Sequence, residues 1–203
     1  MRLIILALGA ALIATAAPAQ AKHHHKSVQA GDGLAGATLL LVRHAEKPES
    51  GQGLTPAGEA RARAYASYFR HFALEAGGPP ARIDAVVATL DTPKSARPRL
   101  TVEPIAHALG VPVQQPVANE DVTGLADWLH HGAPKRTVLI AWHHGKLPKL
   151  LEALNAGCAG VVPDKWPDEV YDWVVVVRYG KGGTSKSCKL VEEPAGMNTP
   201  TVG

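Results

Sequence analysis

Two apolar runs in the sequence each end abruptly in residues that bear imidazole groups. The run Leu39–Val42 leads into Arg43 and His44, and Thr137–Trp142 leads into a pair of histidines. Open α/β folds bind ligands at the carboxyl ends of parallel strands, so both turns are expected at one edge of a sheet. Arginine offers a fixed fork of donors to an oxyanion, and a neutral histidine is a nucleophile. These residue types predict phosphate chemistry.

Between the two turns the pattern alternates strand and helix. Thr55 can cap a helix with Pro56 at its first position, and apolar residues follow at spacings of three and four. Arg61, Arg63 and Arg70 are expected to be solvated on the other faces of that helix. A second helix is expected to begin near Arg97 and Arg99, where free backbone amides and the macrodipole attract anions.

The order of four motifs resembles the histidine phosphatase superfamily, branch 1, which includes the cofactor-dependent phosphoglycerate mutases. They are Leu-Val-Arg-His-Ala-Glu at 41–46, Leu-Thr-Pro-Ala-Gly-Glu-Ala-Arg-Ala at 54–62, Ser-Ala-Arg at 95–97 with Thr101, and Trp-His-His-Gly at 142–145. The match spans about residues 38–178. It implies a phosphoglycerate mutase-like α/β fold, a three-layer αβα sandwich with a mostly parallel central sheet.

The resemblance also implies a role for each site residue. His44 is the nucleophile that forms a phosphohistidine, Arg43 and Arg97 bind the phosphoryl group, and His144, directly before a glycine, completes the pocket. Arg97 stands four residues before Thr101, as in the family. Arg99 has the wrong spacing and is interpreted as a surface neighbour.

Two positions near the pocket carry open alternatives. His143 is offset by one residue from His144 on a strand, so it is expected to face the other way. In many members of the resembled superfamily the general acid comes from the interval between the second arginine and the second histidine, which implies Glu120 as the leading candidate and Asp121 as the alternative. Adjacent carboxylates before a helix are also ordinary caps.

The Trp166–Asp172 segment is interpreted as a loop that the large ring of Trp166 holds in place.

The ends of the chain lie outside the predicted catalytic domain, residues 37–191. Residues 1–21 have the basic start, apolar run and Ala19-Gln20-Ala21 site of a signal peptide. The apolar run is shorter than the roughly 20 residues that span a bilayer, so no stable membrane anchor is expected after cleavage. Residues 22–36 are predicted to be a flexible linker and residues 192–203 a C-terminal tail. Export by a bacterium, to the periplasm or beyond, is therefore expected.

Two further features belong to the exported chain. The run His23–His25 could catch a metal, but no neighbouring Cys or Asp completes a site, and a linker is the favoured interpretation. Cys158 and Cys188 are the only cysteines. An even count in a chain that meets an oxidising compartment predicts one disulfide between them.

Composition limits the classes of partner. The chain has 203 residues and a formal net charge of +3, which suits one domain and gives no nucleic-acid signal. The expected partner is a small phosphorylated substrate. The mechanism requires neither a metal nor another cofactor, and the sequence does not indicate an oligomeric state.

These features predict an exported, metal-independent histidine-type acid phosphatase. One alternative is a noncatalytic phosphate-binding or interaction protein that kept the pocket without an effective acid. A phosphoglycerate mutase is the less favoured alternative. It must exclude water and retain a phosphorylated cofactor, usually with insertions for which this chain has little room, and export removes it from glycolysis.

Overall fold

A computed structural model describes residues 32–132 and 136–200. The predicted signal peptide and the His23–His25 run lie outside the described residues. The strands are β1 Thr38–Arg43, β2 Ala85–Ala88, β3 Val113–Gln114, β4 Thr137–Trp142, β5 Trp173–Tyr179 and β6 Ser185–Glu192. The helices are α1 Pro56–His71, α2 Arg97–Leu109, α3 Val122–His131 and α4 Leu147–Ala153, with short 3-10 turns at Asp32–Leu34 and His144–Lys146.

The strands form one mixed sheet in the order β3-β2-β4-β1-β5-β6. Strands β3, β2, β4 and β1 run parallel, whereas β5 is antiparallel to both β1 and β6. β1 and β4 are neighbours in register, with Arg43 opposite Trp142. Both imidazole-bearing turns therefore leave the sheet at the same edge.

The buried residues of β1 show why the sheet lies between two helical layers. Leu39 and Leu41 pack in one core with residues of α3 and α4, and Leu40 and Val42 pack in a second core with residues of α1 and α2. Successive side chains of a strand point to opposite faces, so a continuous apolar run fills both cores. The predicted α/β architecture, three layers around a mostly parallel sheet, is confirmed.

The start of α1 follows its sequence signals, but one of its arginines does not. Thr55 Oγ1 accepts a hydrogen bond from the amide of Gly58 at 3.1 Å, and Pro56 opens the helix. Arg63 and Arg70 are exposed as predicted, whereas Arg61 is only 5% exposed. The expectation that Arg61 is solvated is wrong, because carboxylates of Glu46 and Glu193 neutralise it from distant parts of the chain.

The structure also differs from the predicted segment boundaries at both ends. Leu34, expected in the linker, is buried in the core that contains α3 and α4. The predicted tail from residue 192 begins inside β6, and the Glu193 side chain is buried against α1. Long-range packing and ion pairing order these residues.

The predicted disulfide between Cys158 and Cys188 is present and joins the segment after α4 to β6. Within residues 32–132 and 136–200, no helix has both the length and the apolar character needed to cross a bilayer.

Candidate active site

The turn after β1 is held by neighbours on both sides. The backbone amide of His44 donates to the carbonyl of Trp142 in β4 at 2.9 Å. The amide of Ala45 donates to Thr101 Oγ1 at 2.8 Å, and that hydroxyl donates to the carbonyl of Arg97 at 2.8 Å. These bonds fix the ends of β1, β4 and α2 against one another.

His44 is buried where these three elements meet and is only 1% exposed. Its Nδ1 lies 2.7 Å from the carbonyl oxygen of Ala45. A carbonyl can only accept, so Nδ1 carries the proton and Nε2 keeps its lone pair. Burial, together with the charges of His143, Arg43 and Arg97, lowers the pKa of His44 to about 2, although the contact with the Ala45 carbonyl opposes the shift. The imidazole is therefore a neutral nucleophile over almost the whole acidic range.

The guanidinium of Arg43 is fully buried beside His44. Its Nη1 donates to the carbonyls of Pro167, Asp168 and Val170, and its Cζ lies 3.7 Å from the centre of the Tyr171 ring. Among the described residues, its Nε and Nη2 are buried without a hydrogen-bond partner. Burial lowers the pKa of Arg43. The group therefore presents a free two-donor edge of the kind that matches an oxyanion.

Of the two candidate arginines on α2, the structure brings Arg97 towards His44. Its Nη1 donates to the carbonyl of Gly51 at 3.0 Å, and its Nε is buried with no partner in the described part of the chain. Burial lowers the pKa of Arg97 as well. Arg99 instead forms ion pairs with Asp91 and Glu103.

Both histidines after β4 reach the ring of His44. The ring centroid of His143 lies 5.0 Å from that of His44, and the ring centroid of His144 lies 6.4 Å away. The expectation that His143 faces away is wrong: His143 is still extended, but the backbone turns into a 3-10 helix at His144, so the two side chains do not alternate as they would along a strand. Burial, with the charges of Arg97 and His144, lowers the pKa of His143 to about 4.

His144 is held by a carboxylate. Its Nε2 lies 2.9 Å from Oδ1 of Asp168, while Nδ1 is buried with no partner among the described residues. Burial and Arg43 lower the pKa of His144, whereas Asp168 opposes that shift. With Nε2 donating to Asp168, Nδ1 becomes a donor only when the ring is protonated. A bound phosphate dianion would favour that protonated form.

The two acid candidates make contacts that do not suit proton donation. Glu120 forms an ion pair with Lys146, its side chain is 72% exposed, and the hydrogen bond from Lys146 lowers its pKa. Asp121 Oδ1 accepts the amide of Gly124 at 2.9 Å and caps α3. The negative charge of Glu120 raises the pKa of His143, so Glu120 lies within electrostatic reach of the site.

Sequence reasoning missed the contribution of the segment before β5. Trp166 is buried, donates from Nε1 to the carbonyl of Val170 at 2.9 Å, and packs on Trp173, so it pins the loop as predicted. The same loop delivers Asp168 to His144 and Tyr171 to Arg43. An acidic and aromatic stretch directly before a buried strand was the signal available in the sequence.

No group of three or more His, Cys, Asp and Glu side chains in the described ranges has the arrangement of a metal site. The side chains that the structure gathers around His44 are guanidinium groups, imidazoles and a phenol: Arg43, Arg97, His143, His144 and Tyr171. Such a set is suited to binding an anion.

Comparison with known proteins gives a likeness in fold. No family model and no curated protein matches the chain. Among solved structures, a protein histidine phosphatase SixA in complex with tungstate has 17% identity and a TM-score of 0.50, covering 76% of this chain and 96% of its own. A protein from Nakamurella multipartitia that is described as a phosphohistidine phosphatase SixA has 21% identity and a TM-score of 0.47, covering 78% of this chain and 96% of its own.

A mycobacterial glucosyl-3-phosphoglycerate phosphatase with inorganic phosphate has 14% identity and a TM-score of 0.48, covering 80% of this chain and 99% of its own. At these identities the likeness shows the fold alone. The resemblance on which the sequence prediction of the fold was based is confirmed to that extent.

Proposed function

We propose that the protein is an exported phosphomonoesterase of the histidine phosphatase superfamily, which hydrolyses a small phosphate ester through a phosphohistidine on His44. The proposal of export depends on the leader-like residues 1–21. The structural neighbour at a TM-score of 0.50 is described as a protein histidine phosphatase, and it binds tungstate, a tetrahedral oxyanion like phosphate.

The observation that carries the proposal is a cluster of buried polar atoms that lack protein partners. They are Nε and Nη2 of Arg43, Nε of Arg97 and Nδ1 of His144, within the part of the chain that the structure describes. A buried donor without a partner costs about 1–3 kcal/mol, and more when it is charged. An oxyanion between these groups would recover that cost. Both arginines lie within electrostatic reach of His44, and the ring centroid of His144 lies 6.4 Å from that of His44.

The first chemical step follows from this arrangement. Arg43 and Arg97 bind the nonbridging oxygens, and Nε2 of His44 attacks phosphorus in line with the departing oxygen. The guanidinium groups stabilise the charge that spreads over the transferring phosphoryl group. Protonated His144, held by Asp168, donates to a phosphoryl oxygen. Water then cleaves the phosphohistidine, and none of these steps needs a metal.

The decisive test is hydrolysis of para-nitrophenyl phosphate by the mature protein and by His44→Ala. We expect turnover by the wild type, an acid-labile phosphoenzyme, and loss of both in the variant. His107→Ala, which changes an exposed histidine of α2, is the matched control and should retain activity. Activity should also survive a chelator. Full activity in His44→Ala would overturn the proposal.

A noncatalytic phosphate-binding protein is the second candidate, because Glu120 is paired with Lys146 rather than poised as an acid. That candidate predicts that phosphate raises the melting temperature although no substrate is turned over. A phosphoglycerate mutase would instead transfer phosphate between positions of phosphoglycerate faster than it releases phosphate.

A further inference from the structure

Cleavage of an unactivated phosphate ester leaves an alkoxide unless a proton reaches the departing oxygen. Four carboxylates in or near the site have other partners: Glu120 pairs with Lys146, Asp121 caps α3, Asp168 holds His144, and Glu46 pairs with Arg61. Glu169 also lies within electrostatic reach of Arg43, but the residue is exposed to solvent. These contacts favour a proton donor other than a carboxylate.

We propose that Tyr171 is the general acid of this site, donating its phenolic proton to the departing oxygen while His44 attacks phosphorus. This inference rests on the proposed phosphatase function. It replaces Glu120, the residue predicted for the role from the sequence.

The topology brings Tyr171 to the reacting groups. β5 is antiparallel to β1, so it enters the sheet at the edge where β1 ends in Arg43. Tyr171 stands two residues before β5, at that edge. Its ring centroid lies 6.3 Å from that of His44, and the ring covers one face of the Arg43 guanidinium at 3.7 Å.

Stacking leaves the phosphate-binding edge of Arg43 open. Nη1 donates to three backbone carbonyls and the Arg43 Cζ lies over the ring, while Nε and Nη2 have no hydrogen-bond partner in the described part of the chain. An oxyanion bound at that edge would lie beside the Tyr171 ring. A Tyr hydroxyl can both donate and accept a hydrogen bond, which suits a group that gives up a proton and takes one back.

Both guanidinium groups of the site lie within electrostatic reach of Tyr171. The proposed donor therefore lies among the cations that would bind the phosphoryl group. The exposed carboxylate of Glu120 has Lys146 as its cation instead.

The proposed cycle balances. In the first step the bond between His44 Nε2 and phosphorus forms, the bond from phosphorus to the substrate oxygen breaks, and the Tyr171 proton moves to that oxygen, giving an alcohol and a phenolate. In the second step the phenolate takes a proton from water as the water oxygen attacks phosphorus. Inorganic phosphate, neutral His44 and neutral Tyr171 result.

The test compares Tyr171→Phe with the wild type on aryl phosphates whose phenols differ in acidity, from para-nitrophenyl phosphate to phenyl phosphate and then an alkyl phosphate. Phenylalanine keeps the ring on Arg43 and removes only the hydroxyl. Because kcat/KM reports the steps up to the first irreversible one, it isolates the transfer to His44. Tyr68→Phe, which changes a half-buried tyrosine of α1, is the matched control.

We expect Tyr171→Phe to lose about 10²–10⁴-fold in kcat/KM on the poorest leaving group and far less on para-nitrophenyl phosphate. Glu120→Gln should keep the wild-type dependence on leaving group. An equal loss on all substrates would mean that Tyr171 only positions Arg43, and wild-type kcat/KM on every substrate would mean that it has no role; either result overturns the inference. Both leave the phosphatase proposal intact, because that proposal depends on His44→Ala.

Discussion

Nδ1 of His44 is hydrogen-bonded to the carbonyl of the next residue, Ala45, at 2.7 Å. This short-range contact sets the tautomer of the ring, because the carbonyl has no proton to give. It leaves Nε2 unprotonated at the end of β1, directly after Arg43, whose Nε and Nη2 have no hydrogen-bond partner among residues 32–132 and 136–200. One backbone carbonyl thereby determines which nitrogen can attack a phosphoryl group.

As the pH falls, activity should not decline around 6.5, the pKa of an ordinary imidazole. Burial lowers the pKa of His44 to about 2, so the ring stays neutral and nucleophilic as the pH falls through 6.5. We expect phosphoenzyme formation, corrected for ionisation of the substrate, to persist to about pH 4. Rapid-quench measurement from pH 3 to 8 checks this, and a midpoint near 6.5 would contradict it.

Arg97 and Arg99 form a matched pair two residues apart on α2. Arg97 lies within electrostatic reach of His44 and has a buried Nε with no partner among the described residues, whereas Arg99 pairs with Asp91 and Glu103. We expect Arg97→Ala to lower kcat/KM by about 10²–10³-fold, as for removal of a transition-state donor. Arg99→Ala should stay within about twofold, because exposed ion pairs contribute little. Equal losses would contradict the assignment.

We expect His143 to be functional, although strand alternation predicted that its side chain faces away from the site. Its ring is nearer to that of His44 than the ring of His144 is. We expect His143→Ala to reduce kcat/KM for para-nitrophenyl phosphate by at least about tenfold, through loss of a group that shapes the pocket around the nucleophile. His131→Ala, at an exposed position of α3, is the control. Wild-type kinetics in His143→Ala would show that its proximity has no consequence.

His144 and Asp168 should act as one unit. The carboxylate accepts from Nε2 at 2.9 Å and favours the protonated ring. We expect Asp168→Asn to lower kcat/KM by about 10-fold or more, and to add almost nothing when His144 is already alanine. Asp164→Asn removes an exposed carboxylate two residues before Trp166 and is the control for loss of charge. Additive effects in the double variant would mean that Asp168 acts independently of His144.

The buried Glu193 should make stability depend on pH. Burial raises its pKa from 4.5 to about 7, although Arg61 and the Tyr65 hydroxyl oppose the shift and Asp172 adds to it. Because the folded protein holds this proton after the unfolded chain has lost it, the contribution is full below about pH 4.5 and declines as the pH rises through 7. The contribution of this proton to the free energy of unfolding is at most about 3 kcal/mol.

Urea unfolding at pH 5 and pH 8 measures this effect. Wild type should lose more stability over that interval than Glu193→Gln, whose amide does not titrate. The exposed neighbour variant Glu192→Gln should behave like the wild type. If Glu193→Gln shows the wild-type difference between the two pH values, Glu193 is not the titrating group.

The sequence by itself determined the parts of the protein that depend on neighbouring residues. Continuous apolar runs predicted the buried strands, and Thr55 with Pro56 predicted the start of α1. An arginine and a histidine at the end of β1 then fell at the sheet edge, because parallel neighbours align their carboxyl ends. Local periodicity and capping are sufficient for these features.

Only the tertiary structure decided which side chains complete the pocket. Tyr171 and Asp168 reach Arg43 and His144 because β5 is antiparallel to β1, and Arg61 is buried because Glu193 lies against α1. His143 and His144 both lie near His44 because the backbone leaves extended geometry at His144. The contacts of Arg43 with Tyr171 and of Arg61 with Glu193 join residues more than a hundred positions apart. They depend on how the strands assemble, which no local pattern in the sequence records.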